Sequence, residues 1–275
     1  MRWIHWQNIG VNKLKISMDY SFFTLISLAF FAFIAGFIDA VVGGGGLIQL
    51  PALLINFPST PLPTLFGTTK IAGFSGTSIA AIQYSKKVKF DFRFLMYLAI
   101  ISMSAAYIGA KVVYLINVNT LKPLILFILI IIAIYTFIKK DFGQFQTKQL
   151  SVVKSYFLGG LMAIFIGFYD GFFGPGTGSF LVLGFVVLLG FEFIKASAYA
   201  KVVNCMTNIG ALSVFIVNGN FILVVSIVMA ISNVLGSYWG SKMAIKKGNG
   251  FIRIFFFIIV CVMILRYGYD IYFKS

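Results

Sequence analysis

The stretch GFIDAVVGGGG, residues 36–46, returns 131 positions later as GFYDGFFGPGT, residues 167–177. The same offset aligns a lysine in each copy, Lys70 with Lys201, and a later pair, Lys111 with Lys242. A constant offset held over such a distance indicates that the chain contains an internal duplication. Each copy places an acid, a glycine cluster and a lysine within strongly apolar sequence.

The composition around these motifs predicts an all-α polytopic membrane protein. The chain has 275 residues, of which 60% are hydrophobic and 11% charged. Uncharged runs such as 22–35 and 124–138 approach the length that a bilayer core requires. Internal repeats in such a chain are typical of secondary transporters, whose substrate site lies where the two halves meet.

Other classes of function are disfavoured by the same counts. The net charge of +15 is spread over short loops between apolar segments, which indicates membrane topology and not nucleic-acid binding. His5 is the sole histidine, and Cys205 and Cys261 lie in apolar stretches, so neither a metal site nor a disulfide is expected. We expect no cofactor, and the partners that we expect are a small anionic substrate and the lipid bilayer; the sequence does not indicate the oligomeric state.

Each copy divides into five hydrophobic elements. In the first copy they span 20–42, 47–56, 64–85, 93–116 and 121–138, and in the second copy 155–173, 179–189, 196–217, 221–245 and 251–272. The second element of each copy is too short to cross a bilayer and follows the glycine cluster. The first two elements are therefore predicted to form a broken helix or a re-entrant hairpin, with the glycine-rich breaks at the interface of the repeats.

An odd number of elements per repeat predicts that the second repeat is inserted in the inverted orientation. Basic residues then gather on one side, in the loop 86–93, in the loop 246–253 and in the linker between the repeats. The positive-inside rule makes this side cytoplasmic and both termini extracytoplasmic, in the plasma (inner) membrane. The predicted domains are an N-terminal interfacial segment at 1–19, a first repeat at 20–138, a basic linker at 139–154 and a second repeat at 155–275.

Asp39 and Asp170 are ionisable groups within the predicted membrane segments, and such groups are usually retained for a purpose. One interpretation is that they carry protons coupled to transport. The other is that they cap the backbone N–H groups exposed where a helix is interrupted.

The glycine clusters are candidates for substrate binding. Glycine allows a group to approach the backbone closely, and the start of the second element offers free N–H groups to an anion. Close helix packing is the alternative. The candidate residues are Gly43, Gly44, Gly45 and Gly46 in the first cluster, and Gly174, Gly176, Thr177 and Gly178 in the second.

Lys70 and Lys201 lie about six residues, roughly 9 Å, into the third elements. They are predicted to attract the anion, with Asp39 or Asp170 holding the lysine while the site is empty. The alternative is that they snorkel to the membrane surface. The neutral candidates beside them are Thr69, Asn204 and Asn208, with Thr68 and Thr207 nearby. Lys111 and Lys242 lie near helix ends and are predicted to be interfacial anchors.

These residues resemble the TauE/SafE family of membrane transporters, in particular its YfcA-like branch. The matching stretches are 36–47, 67–70, 167–180 and 198–204. The resemblance implies a transporter of small organic or sulfur-containing anions such as sulfite or sulfonates, acting by export and possessing no enzymatic activity. Two other functions stay open: a passive anion channel, and an intramembrane enzyme that uses the two aspartates.

Overall fold

The computed structural model describes residues 21–115, 127, 150–247, 265 and 269. Within these residues the chain forms eight α-helices and one short 3₁₀ turn at Val113–Leu115, with no strand. The helices are α1 Phe22–Val42, α2 Gly46–Asn56, α3 Leu62–Ser85, α4 Phe92–Val112, α5 Val152–Phe172, α6 Thr177–Val187, α7 Phe193–Val217 and α8 Leu223–Lys247.

Five of the described segments are long and apolar enough to cross a bilayer, which makes this a multi-pass membrane protein. They are α1, α4 with its 3₁₀ turn, α5, α7 and α8. The helix ends agree with the predicted elements to within about one helical turn. The predicted fifth elements, the segment 1–19 and most of the linker lie outside the described residues.

The linker predicted at residues 139–154 overlaps the start of helix α5. Helix α5 begins at Val152, inside the range 139–154, because Ser151 caps it: the Ser151 hydroxyl accepts a hydrogen bond of 3.4 Å from the backbone N–H of Lys154. A serine at this position satisfies a backbone donor that the helix itself leaves free.

Two glycine-rich turns separate the long helices α1 and α5 from the short helices that follow. Gly43 and Gly44 have φ values of 79° and 100°, and Gly174 and Gly176 have φ values of 93° and 87°. Residues other than glycine rarely adopt these positive φ values, so glycine is required in the turns. Helices α2 and α6 have 11 residues each, a length of about 16 Å, or half of a bilayer core.

The long helices pack most closely across the two copies of the duplicated sequence. Helix α1 lies parallel to α8, with Gly36 against the backbone of Asn233 and Gly240 against that of Phe37. Helix α4 lies parallel to α5 in the same manner, with Gly171 against Ala106. Small residues at these contacts let the helix backbones approach closely.

Helices α3 and α7, which occupy equivalent positions in the two copies, run antiparallel. Thr64, at the start of α3, lies 3.3 Å from Asn220, just beyond the end of α7, whereas Ser78, later in α3, contacts Cys205 in the middle of α7. Helix α3 is also parallel to α8, since Thr68 contacts Ile222 and Gln83 contacts Tyr238. Helices α1, α3 and α8 therefore point one way.

Helices α4, α5 and α7 point the other way. The hydroxyl of Tyr199 in α7 accepts a hydrogen bond of 2.8 Å from the backbone N–H of Asp91, directly before α4. Further along, Gly210 of α7 packs on the backbone of Met103 in α4. The two glycine-rich turns come together between these two sets of helices.

Candidate functional site

A cavity of about 60 Å³ lies between the two glycine-rich turns. A cavity of this size has room for a few water molecules or a small anion. Most of the residues that we expected at the site line it: Asp39, Gly44, Gly45, Gly46, Thr69, Lys70, Asp170, Gly174, Gly176, Thr177, Gly178, Asn204 and Asn208. Gly43 and Lys201 do not.

Lys201 forms a buried ion pair with Asp39. Its Nζ lies 2.8 Å from Asp39 Oδ2, and it also donates a hydrogen bond to the backbone carbonyl of Asp39. The side chain of Lys201 is 1% exposed and that of Asp39 is 14% exposed. The ammonium is therefore directed at Asp39 and away from the cavity.

Lys70 forms the corresponding pair with Asp170. Its Nζ lies 2.8 Å from Asp170 Oδ1, and the two side chains are 7% and 3% exposed. Lys70 also lies beside Gly174, where an added Cβ would be 3.0 Å from its Nζ. Lys70 is thus the lysine that borders the cavity.

The two ion pairs cross between the copies of the duplicated sequence. The aspartate of the first copy pairs with the lysine of the second, and the aspartate of the second with the lysine of the first. Both lysines lie eight residues beyond the first residue of their helix, about 12 Å along it, so the expected depth of six residues was too shallow. Because both ammonium groups are buried in ion pairs, the snorkelling interpretation is wrong.

Asp39 has three further hydrogen bonds. Its Oδ1 accepts from the backbone N–H groups of Gly44 at 3.1 Å and Gly45 at 3.3 Å, and its Oδ2 accepts from the hydroxyl of Thr77 at 3.2 Å. The carboxylate thus binds the glycine-rich turn directly before α2. This is the geometry that the capping interpretation of Asp39 requires.

Asp170 has fewer hydrogen bonds than Asp39, although its side chain is more deeply buried, at 3% exposed against 14%. Its Oδ2 has no hydrogen-bond partner within the described part of the chain. In the second copy, the residue equivalent to Gly44 is Pro175, which has no backbone N–H to donate. The residue equivalent to Thr77 is Asn208, whose side-chain amide donates to the carbonyl of Asn204 at 2.7 Å and not to Asp170. The two aspartates are therefore not equivalent.

Gly43 and Gly178 bring the two glycine-rich turns into contact. A Cβ on Gly43 would lie 2.3 Å from the backbone nitrogen of Ser179, and one on Gly178 would lie 3.0 Å from the Cα of Gly43. The Ser179 hydroxyl donates to the carbonyl of Val42 at 2.9 Å and joins the turns. The packing interpretation therefore fits Gly43, which lies outside the cavity.

Neutral polar groups supply the rest of the lining. Thr69 lines the cavity, with its hydroxyl donating to the carbonyl of Phe66, and Asn204 lies on the opposite copy. Thr68 and Thr207 do not line it: Thr68 accepts from the backbone N–H of Ile222, and Thr207 donates to Asn204.

Three polar side chains of the lining were not anticipated from the sequence: Gln49, Thr77 and Asn233. Gln49 is 2% exposed. Its backbone N–H donates to the carbonyl of Gly45 at 3.1 Å, whereas its side-chain amide has no hydrogen bond with the described residues. A sequence signal did exist for it, because Gln49 is a polar residue in the apolar run LIQLPALL that directly follows the first glycine cluster. Its counterpart in the second copy is Phe180, so the repeat pattern concealed it.

Lys111 and Lys242 lie outside the cavity and are exposed. Each ammonium sits over the ring of a tyrosine one turn earlier, at 4.5 Å from the centroid of Tyr107 and 5.0 Å from that of Tyr238. A lysine beside an aromatic ring near a helix end fits the predicted role of an interfacial anchor.

Comparison with known proteins identifies relatives along most of the chain. A family model described as "Sulfite exporter TauE/SafE" matches residues 28–267. The chain is 38% identical over 249 residues to "Probable membrane transporter protein ORF9" of Sinorhizobium sp, covering 90% of this chain and 94% of that protein. It is 35% identical over 254 residues to a "Probable membrane transporter protein" of Haemophilus influenzae, covering 92% and 98%.

A further relative is "Probable membrane transporter protein YfcA" of Escherichia coli K12. The two are 34% identical over 245 residues, which cover 88% of this chain and 89% of that protein. No solved structure matches this chain. The relatives thus span the same length as this chain and are named as membrane transporters.

Proposed function

The chain belongs to the TauE/SafE family of membrane transporters, and we propose that it exports small organic or sulfur-containing anions, such as sulfite or sulfonates, with proton coupling. The observation that carries this proposal is the small cavity bordered by the Lys70 ammonium. The same cavity is lined by the neutral side chains of Gln49, Thr69 and Asn204. The amide donors of Gln49 and Asn204 beside one cation are suited to the oxygens of a small oxyanion.

The substrate-binding set that we propose comprises the cavity residues of both copies. Helix α2 adds the positive end of its dipole, since its first residue, Gly46, lines the cavity. Gln49 follows in the first turn of the same helix, and its side-chain amide has no hydrogen bond among the described residues. We assign it as the amide donor to the bound anion.

The proposed architecture is two inverted repeats, with the domain limits 20–138 and 155–275. Support comes from the directions of equivalent helices: α1 and α3 point opposite to α5 and α7, and α4 opposite to α8. Inverted repeats place the substrate near the middle of the membrane and provide alternating access when one repeat moves against the other.

The proposed location is the plasma (inner) membrane, with the basic loops in the cytoplasm. The C-terminal ends of α3 and α8 lie together, because Gln83 donates to the carbonyl of Tyr238. The N-terminal ends of α4 and α5 lie together as well, because the Phe94 and Tyr156 rings are 5.1 Å apart. The described basic residues nearest these ends, Lys86, Lys154 and Lys246, therefore lie toward one face, which supports the topology expected from the positive-inside rule.

Two other functions make different demands on the site. An aspartate-based enzyme needs two carboxylates that share one proton, whereas each aspartate here contacts a lysine. A passive channel would conduct the anion without accumulating it against a gradient.

The proposal is tested by measuring the flux of sulfite and of methanesulfonate in proteoliposomes, with and without an imposed pH gradient. We expect accumulation that depends on the gradient and falls by at least tenfold in Lys70→Met, a loss of about 1.4 kcal/mol or more in substrate interaction. Lys242→Met, which removes an exposed lysine outside the cavity, is the matched control. Unchanged flux in Lys70→Met would contradict the proposal, and flux without accumulation would indicate a channel.

A further inference from the structure

We propose that the two aspartate–lysine pairs have different functions: Asp39–Lys201 is a fixed structural pair, whereas Asp170 takes up a proton as Lys70 transfers to the anion. This inference rests on the proposed function and identifies the proton-carrying group of its site. It follows from two differences between pairs that the repeated sequence would make equal, and from a third consideration, the charge balance of the site.

The first difference is the number of donors on each carboxylate. Asp39 accepts hydrogen bonds from Lys201, from Thr77 and from two backbone N–H groups. Asp170 accepts from Lys70, and its Oδ2 is buried without a partner among the described residues. Donors stabilise the ionised form of a carboxylate, so the carboxylate with fewer donors is the one that protonation disturbs least.

The second difference is the freedom of the two lysines. Lys201 is bound twice by Asp39, through the carboxylate and the backbone carbonyl, and it does not border the cavity. Lys70 contacts Asp170 and borders the cavity. An incoming anion can therefore replace Asp170 as the partner of Lys70, but it cannot reach Lys201 without breaking the Asp39 turn.

The third consideration is charge balance. The two lysines and two aspartates sum to zero, so a bound monoanion leaves one uncompensated negative charge in a region of low dielectric constant. In the step that we propose, a proton from water bonds to Asp170 Oδ2, and the Lys70 ammonium moves from Asp170 Oδ1 to an oxygen of the anion. The total charge returns to zero, with one proton carried per monoanion.

Few other groups around Asp170 compete for that proton. Tyr169 on the same helix uses its hydroxyl to donate to the carbonyl of Pro175, at 2.6 Å. From α4, Lys111 lies over the Tyr107 ring, and from α7 and α8 the cavity receives the neutral amides of Asn204, Asn208 and Asn233. Asp39, which also borders the cavity, is neutralised by Lys201.

The first test is the binding of methanesulfonate, which remains a monoanion over the working pH range, to the purified protein. If one proton binds with each anion, the apparent Kd of the wild type rises by about tenfold per pH unit above the protonation midpoint. We expect Asp170→Asn, which resembles the protonated state, to bind with little dependence on pH. Asp39→Asn should melt at a lower temperature and yet keep the pH dependence of the wild type.

The proposal is overturned if Asp170→Asn keeps the pH dependence of the wild type, or if Asp39→Asn is the variant that loses it. The same variants in proteoliposomes provide a second reading, since Asp170→Asn should exchange anions without responding to the pH gradient. A wild type that binds and transports none of the tested anions would contradict the proposed function instead.

The second test requires no variant and is run with methanesulfonate present, because the proposed step protonates Asp170 when the anion takes its place beside Lys70. Dicyclohexylcarbodiimide, an apolar reagent, reacts with protonated carboxyl groups: the carboxyl proton moves to a reagent nitrogen, and the carboxyl oxygen bonds to the central carbon. Mass spectrometry of the digested protein should find the adduct on Asp170, increasing as the pH falls, and not on Asp39. An adduct on Asp39 alone, or equal labelling of both, would overturn the proposal.

Discussion

Each buried lysine of the site pairs with one aspartate. The effect of removing the lysine on stability depends on whether the aspartate that is left behind stays ionised. Lys201→Met leaves Asp39 charged and buried, since three other donors hold it ionised. We expect a loss of about 3–5 kcal/mol in the free energy of unfolding, much of it restored in the double variant Asp39→Asn/Lys201→Met. Lys70→Met should cost less, because Asp170 can take up a proton.

Thermal unfolding in detergent at two pH values measures this difference. Lowering the pH should raise the melting temperature of Lys70→Met relative to the wild type, whereas it should leave that of Lys201→Met low. Equal losses in the two lysine variants, with the same pH response, would show that the pairs are equivalent in stability.

Pro175 is the residue that makes the second glycine-rich turn differ from the first. Pro175→Gly restores a backbone N–H at the position from which Gly44 binds Asp39. If this N–H reaches Asp170, the ionised carboxylate is stabilised, and proton-coupled binding of methanesulfonate should require a lower pH than in the wild type. A matched change, Pro61→Gly before α3, lies away from the cavity and should not move the pH profile.

The repeated residues could be found from the sequence, but their pairing could not. The offset identified Asp39, Lys70, Asp170 and Lys201 as one group. Nothing in the spacing states whether each lysine binds the aspartate of its own copy or that of the other, because this depends on how the copies pack. Gln49 was missed because it has no polar counterpart in the second copy.

At the scale of elements, glycines set the distance between α4 and α5. A Cβ on Gly171 would lie 1.8 Å from the carbonyl oxygen of Ala106, so Gly171→Ala forces the two helix backbones apart. We expect a loss of about 1–3 kcal/mol or more, seen as a lower melting temperature in detergent. Gly73→Ala is the matched control, because a Cβ there meets no atom within 4 Å.

Gly73→Ala also separates stability from function. Gly73 lines the cavity, so the added methyl group should leave the melting temperature unchanged while it reduces the space available to the anion. A decrease in melting temperature as large as that of Gly171→Ala would contradict the packing that we describe.

The helices themselves were largely predictable, since long apolar runs between charged loops define them. The errors lie at helix starts. Helix α3 begins at Leu62, with Pro61 as its cap and Pro63 in the first turn, so it extends further than apolar character indicates. Proline is tolerated in the first turn because the backbone N–H groups there have no partner within the helix. This extra length places Lys70 deeper than the sequence suggested.

At the scale of the whole molecule, the proposed topology predicts which loops face the cytoplasm. In a background with Cys205 and Cys261 replaced, Lys87→Cys lies in the basic loop after α3, and Asn218→Cys lies in the uncharged loop after α7. Both positions are exposed. A membrane-impermeant maleimide applied to intact cells should label Asn218→Cys and reach Lys87→Cys after the membrane is permeabilised. The reverse pattern would invert the topology.

The sequence predicted the class of molecule, an all-helical multi-pass membrane protein, from its composition. The inverted arrangement, which follows from loop charge and duplication, stays a prediction. It could not predict the cavity, because its walls come from both copies and from turns that are distant along the chain. The difference between the two aspartates likewise required the contacts of Pro175 and Asn208, which a pattern of repeats treats as equivalent.

The crossed pairing of Asp39 with Lys201 and of Lys70 with Asp170 has a consequence for biogenesis. The ribosome delivers Asp39 and Lys70 to the membrane well before either of their partners exists. Until α5 and α7 are inserted, the newly made first copy holds two charges whose final partners are still untranslated. The charges of the first copy are therefore neutralised only when the second copy has been made and inserted. A chain whose synthesis stops after the first copy keeps unpaired charges in its interior, which quality control can recognise.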